Sequence, residues 1–275
     1  MIFRSYKPSL LLSSYVDVIH LRHFIFPPNG KIPFKPYPPR PEQCLTFYVR
    51  GFELTEYKRE GIVIHRPRST ISGQYTHIIN RNPSAEFLMI LVVFKGGALN
   101  RLTGIPFTEF MNLAADAESV LGNEVKYLNE RLNSMECYEE MLGQVNLFLE
   151  ALVKKATADV LPVDRAIDFL LKNEHSISVK QLSEISCLSA RQLERRFMER
   201  TGVNPKTFLR VLRFNRSYFL HLRHPSKTWQ SLATHCGFTD YQHMVKDYRE
   251  FTGSSPAQLF VSESKAPERV LGLAT

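Results

Sequence analysis

The feature that most narrows the fold of this 275-residue chain is a repeat in its C-terminal third. Phe197, Thr201-Gly202, Pro205 and Phe208 return 51 residues later as Tyr248, Thr252-Gly253, Pro256 and Leu259. Upstream, Leu182 to Ser189 returns as Leu232 to Thr239 at an offset of 50, and one extra residue near Asp240 absorbs the difference. A repeat of this length marks a duplicated supersecondary unit.

Each copy carries the parts of a helix-turn-helix. In the first, Val179 to Ser186 reads as a short helix with Leu182 and Ile185 inward, and Cys187-Leu188 as the turn. Ser189 can cap the next helix by accepting a bond from a free backbone N–H. That helix runs from Ala190 to about Arg200; Leu193 and Phe197 anchor it, while Arg191, Glu194, Arg195 and Arg196 occupy its other face. Gly202 ends it. In the second copy Thr228 caps a helix holding Trp229, Leu232 and Ala233, and Gly237 makes the turn. Thr239 or Asp240 caps the next helix, Met244 and Tyr248 anchor it, and Gly253 closes it. Tyr241, Gln242, His243 and Lys246 are left to face outward. Between the copies, Lys206 to Leu222 reads as one rigid helix with Leu209, Leu212, Phe219 and Leu220 on its buried side, ended by Pro225.

Arg, Lys, Gln and His are the side chains that read base edges or neutralise phosphates, and Glu can accept from cytosine. The charge fits. The chain carries a net +8, and Ser178 to Leu259 alone holds 13 Lys/Arg against 6 Asp/Glu, or +7. A local positive field attracts a polyanion and releases its counterions on binding.

The paired units, the spacer, Leu232-Ala233, Cys236-Gly237-Phe238-Thr239-Asp240, Tyr248, Thr252-Gly253, Pro256 and Arg213-x-x-Arg216 together resemble the AraC/XylS family of transcription regulators, over about Asp164 to Leu259. The resemblance implies that both second helices enter the major groove on one DNA face, with the spacer setting their separation against the roughly 34 Å of a helical turn. It implies base reading by Arg191, Glu194, Arg195, Arg196, Tyr241, Gln242, His243 and Lys246. Ser189, Thr239, Arg213 and Arg216 are implied at the DNA backbone or in support of the spacer; the two arginines either touch phosphate or pair with acids to hold the units together. Cys187 stands where the family usually has glycine, Ser183 and Ser217 where alanine is common, and His235 is unusual on the core-facing part of its helix.

The N-terminal half reads differently. Thr46 to Val49, Gly61 to His65 and Phe87 to Phe94 are strand-like, and the seven prolines between Phe26 and Pro41 exclude regular helix. Phe107 to Ala117 and Leu121 to Leu132 read as helices. Cys137 to Lys155 is amphipathic, with Met141, Val145, Phe148, Leu149 and Leu152 in one stripe. That stripe faces either its own domain or a second chain. The expected class is α+β. A β-rich, cupin-like effector or oligomerisation domain with terminal helices spans 1–155, a linker 156–162, an all-α double helix-turn-helix domain 163–260 and a flexible tail 261–275. The segment from Phe94-Lys95-Gly96-Gly97-Ala98 to Leu102-Thr103-Gly104-Ile105-Pro106, with Glu109 and Asn112, resembles sensor domains attached to such regulators.

Other classes find little support. His20, His23, His65 and His77 do not form a cupin metal cluster, so no cofactor or metal is expected. Cys44, Cys137, Cys187 and Cys236 lie far apart, which suits reduced, mostly buried thiols and not the clustered site of a DNA-repair enzyme with a similar DNA-binding half. No G-x-S-x-G, P-loop or H-E-x-x-H occurs. No apolar run reaches the roughly 18 residues of a membrane span, and Met1 to Pro8 does not read as a signal peptide. The expectation is a cytoplasmic, homodimeric, non-enzymatic regulator; activation is what the resemblance suggests, while the residues leave activation or repression open. Its partner is double-stranded DNA, and RNA polymerase and a small-molecule effector stay open as further partners. An architectural DNA binder without an effector is the alternative.

Overall fold

The structure is a computed structural model and describes residues 1–28, 30–156, 158–173 and 177–273. Thr157 of the expected linker and the last two residues of the expected tail lie outside the described residues.

The N-terminal half alternates apolar and polar residues along strands rich in β-branched and aromatic side chains, and these form two antiparallel sheets. The strands are β1 (Ile2–Tyr6), β2 (Val16–Ile25), β3 (Lys35–Tyr37), β4 (Gln43–Arg50), β5 (Glu53–Tyr57), β6 (Ile62–His65), β7 (Ser69–Ser72), β8 (Ile79–Pro83), β9 (Glu86–Phe94) and β10 (Ala114–Asp116). One sheet has the order β1-β2-β9-β4-β7-β10, the other β3-β8-β5-β6. Strand β4 is buried on both faces, and its residues divide by parity. Leu45, Phe47 and Val49 join Ile90 and Val92 in a core covered by helices, whereas Cys44 and Tyr48 join Phe87, Met89, Leu91 and Val93 on the opposite face.

Between the sheets lies a polar core. Glu53 accepts from Tyr48 (3.1 Å) and Arg81 (2.7 Å), and Arg66 donates to Thr55 (2.7 Å) and Tyr75 (3.1 Å). Only about 20 Å³ of space remains there. This end of the sandwich is filled by its own side chains.

Helices α1 (Ala98–Thr103), α2 (Ala117–Leu121), α3 (Asn123–Ser134) and α4 (Tyr138–Lys155) follow β9. The stripe on α4 turns toward its own domain: Met141, Val145, Phe148 and Leu149 are buried in the core under the large sheet, and Leu152 packs partly against it. The helix expected over Phe107 to Ala117 is absent. One turn of 3-10 helix, Phe107–Phe110, leads through Asn112 at φ 56° into β10, where Ala115 pairs with Ile71. A backbone ladder plus the bond from Thr76 N to Asn112 Oδ1 (2.7 Å) outweighs helix propensity there. The next expected helix is split at Gly122 into α2 and α3.

The C-terminal half contains α5 (Pro162–Lys172), α6 (Val179–Ser186), α7 (Ala190–Thr201), α8 (Pro205–Arg223), α9 (Trp229–His235), α10 (Tyr241–Thr252), α11 (Pro256–Glu263) and α12 (Pro267–Val270). The first unit closes on Leu182, Leu193, Phe197 and Phe208, the second on Phe214, Tyr218, Met244 and Tyr248. Both cores take residues from α8. The buried seam of that spacer runs through Phe208, Val211, Leu212, Phe214, Ser217 and Tyr218. Leu209, Phe219 and Leu220 are only half-buried, so Leu212 alone of the four expected residues is fully inside. The reason is that α8 packs against two cores at once, and a single stripe does not describe a helix with two buried sides.

The expected frayed tail is instead packed. Ala266, Pro267 and Glu268 are buried, and Leu271 and Leu273 pack against the aromatic face of the large sheet. Its two leucines cover apolar surface that would otherwise face water.

Candidate nucleic-acid interface

The two units form by the same local rules. Ser189 caps α7 by accepting from Gln192 N (3.3 Å), and Gln192 Oε1 in turn accepts from Ser189 N (3.0 Å). Asp240, not Thr239, caps α10, accepting from His243 N (2.7 Å). The turn after α6 needs a left-handed residue, and Cys187 supplies it at φ 51°, where the second unit has Gly237 at φ 77°. Ile185 is 48% exposed, against the expectation of an inward residue, so α6 is anchored by Leu182. His235 faces solvent and creates no conflict with the core.

On α7, Arg191, Glu194, Arg195 and Arg196 are all exposed. Arg196 pairs with Glu199 at 3.2 Å, one turn on. On α10, Gln242 and Lys246 are exposed, and so is Arg249, which sequence reasoning missed although it continues their stripe at the i, i+4, i+7 spacing. Tyr241 and His243 do not project as expected. Tyr241 is half-buried against the second core. His243 Nε2 lies 3.2 Å from Arg213, and its Nδ1 lies 3.2 Å from the Thr239 hydroxyl. Its ring braces the turn, edge-on to Phe238.

The spacer arginines pair within the protein. Arg210 and Arg213 both donate to the buried Asp247 carboxylate, at 2.7 and 2.9 Å, and Arg210 also reaches Glu250 at 2.6 Å. The Glu250 carboxyl is held below its usual range, chiefly by its bond from Arg210. Arg216 donates to the carbonyls of Leu170 (2.8 Å) and Asn173 at the end of α5. Three arginines at i, i+3 and i+6 thus join α8 to both units. Of the two roles left open for Arg213 and Arg216, this geometry favours holding the units together. The cleft between the units, about 600 Å³, is lined by Lys206, Arg210, Arg213, Arg216 and Lys246 among others.

Comparison with known proteins agrees with the geometry. Residues 182–261 match the family model described as a helix-turn-helix domain. The chain is 27% identical over 148 residues to the HTH-type transcriptional activator RhaS of Escherichia fergusonii, covering 50% of this chain and 53% of that protein. It is 31% identical over 85 residues to the HTH-type transcriptional regulator ArgR of Pseudomonas aeruginosa, covering 31% and 26%. These matches support the resemblance of the C-terminal third to the AraC/XylS family. Its match spans about half the length of the RhaS relative. The crystal structure of an apo ToxT variant from Vibrio cholerae shares the fold at a TM-score of 0.50 and 10% identity, over 89% of this chain and 97% of that one.

Both units are docked on the N-terminal half. Gln43 donates to the Arg200 carbonyl at 2.6 Å, while the Arg200 side chain pairs with the buried Asp164 of α5 at 2.8 Å within the C-terminal half. Burial nevertheless pushes the Asp164 carboxyl up. Gly202, at φ 85°, leaves room for the Phe107 carbonyl, which a Cβ would meet at 2.7 Å. In the second unit the Phe251 carbonyl accepts from Ile78 N at 2.8 Å.

A cavity of about 760 Å³ lies between the halves. Its walls include Phe24, Phe87 and Met89 from the large sheet and Tyr218 and Phe219 from α8. His20, also on the wall, is pushed down to about 3 by burial, with Arg22 and Arg40 adding to the effect. The neutral ring can therefore accept from Arg22, 3.0 Å away.

Among the described residues no three His, Cys, Asp or Glu side chains gather as metal ligands, and no helix is long and apolar enough to cross a membrane. Cys44 and Cys236 are buried, but Cys137 and Cys187 are exposed, against the expectation of mostly buried thiols. Cys187 is exposed because it forms the turn itself.

Proposed function

We propose that this chain is a cytoplasmic, non-enzymatic transcription regulator that sets α7 and α10 in successive major grooves of duplex DNA. One observation carries the reading. At equivalent positions of the two units, Arg191 and Gln242, and again Arg195 and Lys246, all four side chains are exposed on helices tied to one spacer. Arg191, Arg195 and Gln242 have the chemistry for base edges, while Lys246 and Arg249 suit phosphate. Residues 163–260 serve as the DNA-binding domain, and residues 1–155 as the sensing or assembling one.

Control by a small molecule is favoured over assembly alone. One end of the sandwich is filled, but the cavity that opens between its sheets and the C-terminal half is of the size that small ligands occupy. Its mixed wall suits a ligand with an apolar body and a polar end. A ligand there would touch both halves and so bias their docking.

The test is a salt titration of duplex affinity for the full chain, joined to selection from randomised DNA. Phosphate-driven binding predicts a linear fall of log K with log salt, and a two-groove reader predicts selected sequences with two elements about one helical turn apart. A flat salt response, or no enrichment, rejects the proposal.

A further inference from the structure

We infer that residues 263–273 form a latch that locks the second helix-turn-helix unit onto the N-terminal half and closes one wall of the cavity between them. The latch does not depend on what the helices bind.

Three observations support it. Lys35, on β3, is gripped by two carboxylates from the far end of the chain, Glu263 at 2.5 Å and Glu268. All three groups are largely withdrawn from water, with side chains 19%, 3% and 8% exposed. The intervening turn is itself held: Ala266 is fully buried, and Leu273 N donates to the Glu268 carbonyl at 2.8 Å. Beyond it, Leu271 and Leu273 pack against the aromatic face of the large sheet. Lys35, Glu263, Pro267, Glu268 and Arg269 all line the cavity, so the ion pairs and the cavity wall are the same residues.

The charge count makes this joint switch-like. One lysine pairs directly with two buried carboxylates, while Arg40 and Arg22 act on them at longer range. If Lys35 is lost, Glu263 and Glu268 lose their direct ion pair and keep only the longer-range pull of Arg40 and Arg22, so burial becomes costly for both. If one carboxylate is neutralised, Lys35 keeps the other. Because α11 continues from the second unit, releasing the segment frees that unit from β3. The remaining backbone tie there, Ile78 N to Phe251 O, then reports the opening.

The experiment is hydrogen exchange at the Ile78 amide of the full chain, with 8-anilinonaphthalene-1-sulfonate as a dye for the cavity. Lys35→Met should raise Ile78 exchange about tenfold or more and admit the dye faster, while Glu268→Gln should raise exchange only ~3-fold. The triple variant Lys35→Met, Glu263→Gln, Glu268→Gln should return exchange toward the parent value, because it removes the buried carboxylates that lost their direct partner. Unchanged Ile78 exchange in Lys35→Met overturns the latch, as does failure of the triple variant to recover. Raised exchange without faster dye uptake overturns the cavity-wall part. Should Lys35→Met fail to fold, Glu268→Gln reads the same amide, and no change there overturns the latch as well.

Discussion

The two helix-turn-helix units began from one sequence pattern and now carry different loads. In the first, the second helix keeps a broad solvent face: Arg191, Glu194, Arg195 and Arg196 are exposed, and its anchor to the rest of the chain is Arg200 at its far end. In the second, part of the equivalent face is spent on the spacer. The position of Arg196 is taken by Asp247, which is 2% exposed and receives two arginines. The position of Gln192, a capping partner, is taken by His243, which braces the turn. Duplication preserved the backbone because caps and turns are local. It left the exposed positions free to diverge, since each new partner comes from a different neighbour.

The largest expected break in this comparison is at that equivalent pair. Asp247→Ala leaves Arg213 without its carboxylate and Arg210 with Glu250 alone and should cost about 3 kcal/mol, whereas Arg196→Ala, losing an exposed pair, should cost under about 0.5 kcal/mol. Urea unfolding of both variants decides it, and equal losses would erase the distinction.

Next come the closing glycines. Gly202→Ala meets the Phe107 carbonyl as well as an unfavourable φ of 85°, whereas Gly253→Ala, at φ 70°, meets nothing within 4 Å. The backbone cost of about 1–2 kcal/mol is common to both. Thermal unfolding should therefore show the larger loss for Gly202→Ala, and the reverse order would mean that docking on the N-terminal half does not constrain the first unit.

In DNA binding, Arg195→Ala and Gln242→Ala should each weaken a selected site by ~1–3 kcal/mol and relax its sequence preference. Arg249→Ala, a phosphate candidate, should instead lower the salt slope by about 1 on every sequence. Equal losses on selected and random duplexes would remove Arg195 and Gln242 from base reading.

The smallest effect concerns Glu250. Its folded carboxyl lies below the ordinary value of 4.5, so its contribution is present above that pH and disappears as pH falls through the folded value. The stability gap between the parent and Glu250→Gln should then be present at neutral pH and shrink below about 4.5. A gap independent of pH would show that the Arg210 contact does not depend on charge.

What reasoning from residues could reach is clear from single positions. Ser189, Thr228, Gly202 and Gly253 fall where capping chemistry places them, because a helix end is satisfied by atoms a few residues away. Ile185, His243 and the seam of α8 were misjudged because each depends on what packs from elsewhere. A signal for the arginine grip was present in Arg210, Arg213 and Arg216 at three-residue spacing, together with Asp247 inside an otherwise basic helix. Nothing local, by contrast, announced that Lys35 meets Glu263 and Glu268 more than 220 residues away.

The sequence by itself determined the duplicated scaffold, the caps and turns that bound its helices, and the basic surface of the C-terminal half. Each is a short-range or additive property of neighbouring residues. Only the tertiary structure decided which polar side chains stay in solvent, that a cavity opens between the sheets and the C-terminal half, and that the closing segment is clamped to β3. Those outcomes depend on pairing groups distant in the chain, and burial makes an unpaired charge too costly to leave without a partner.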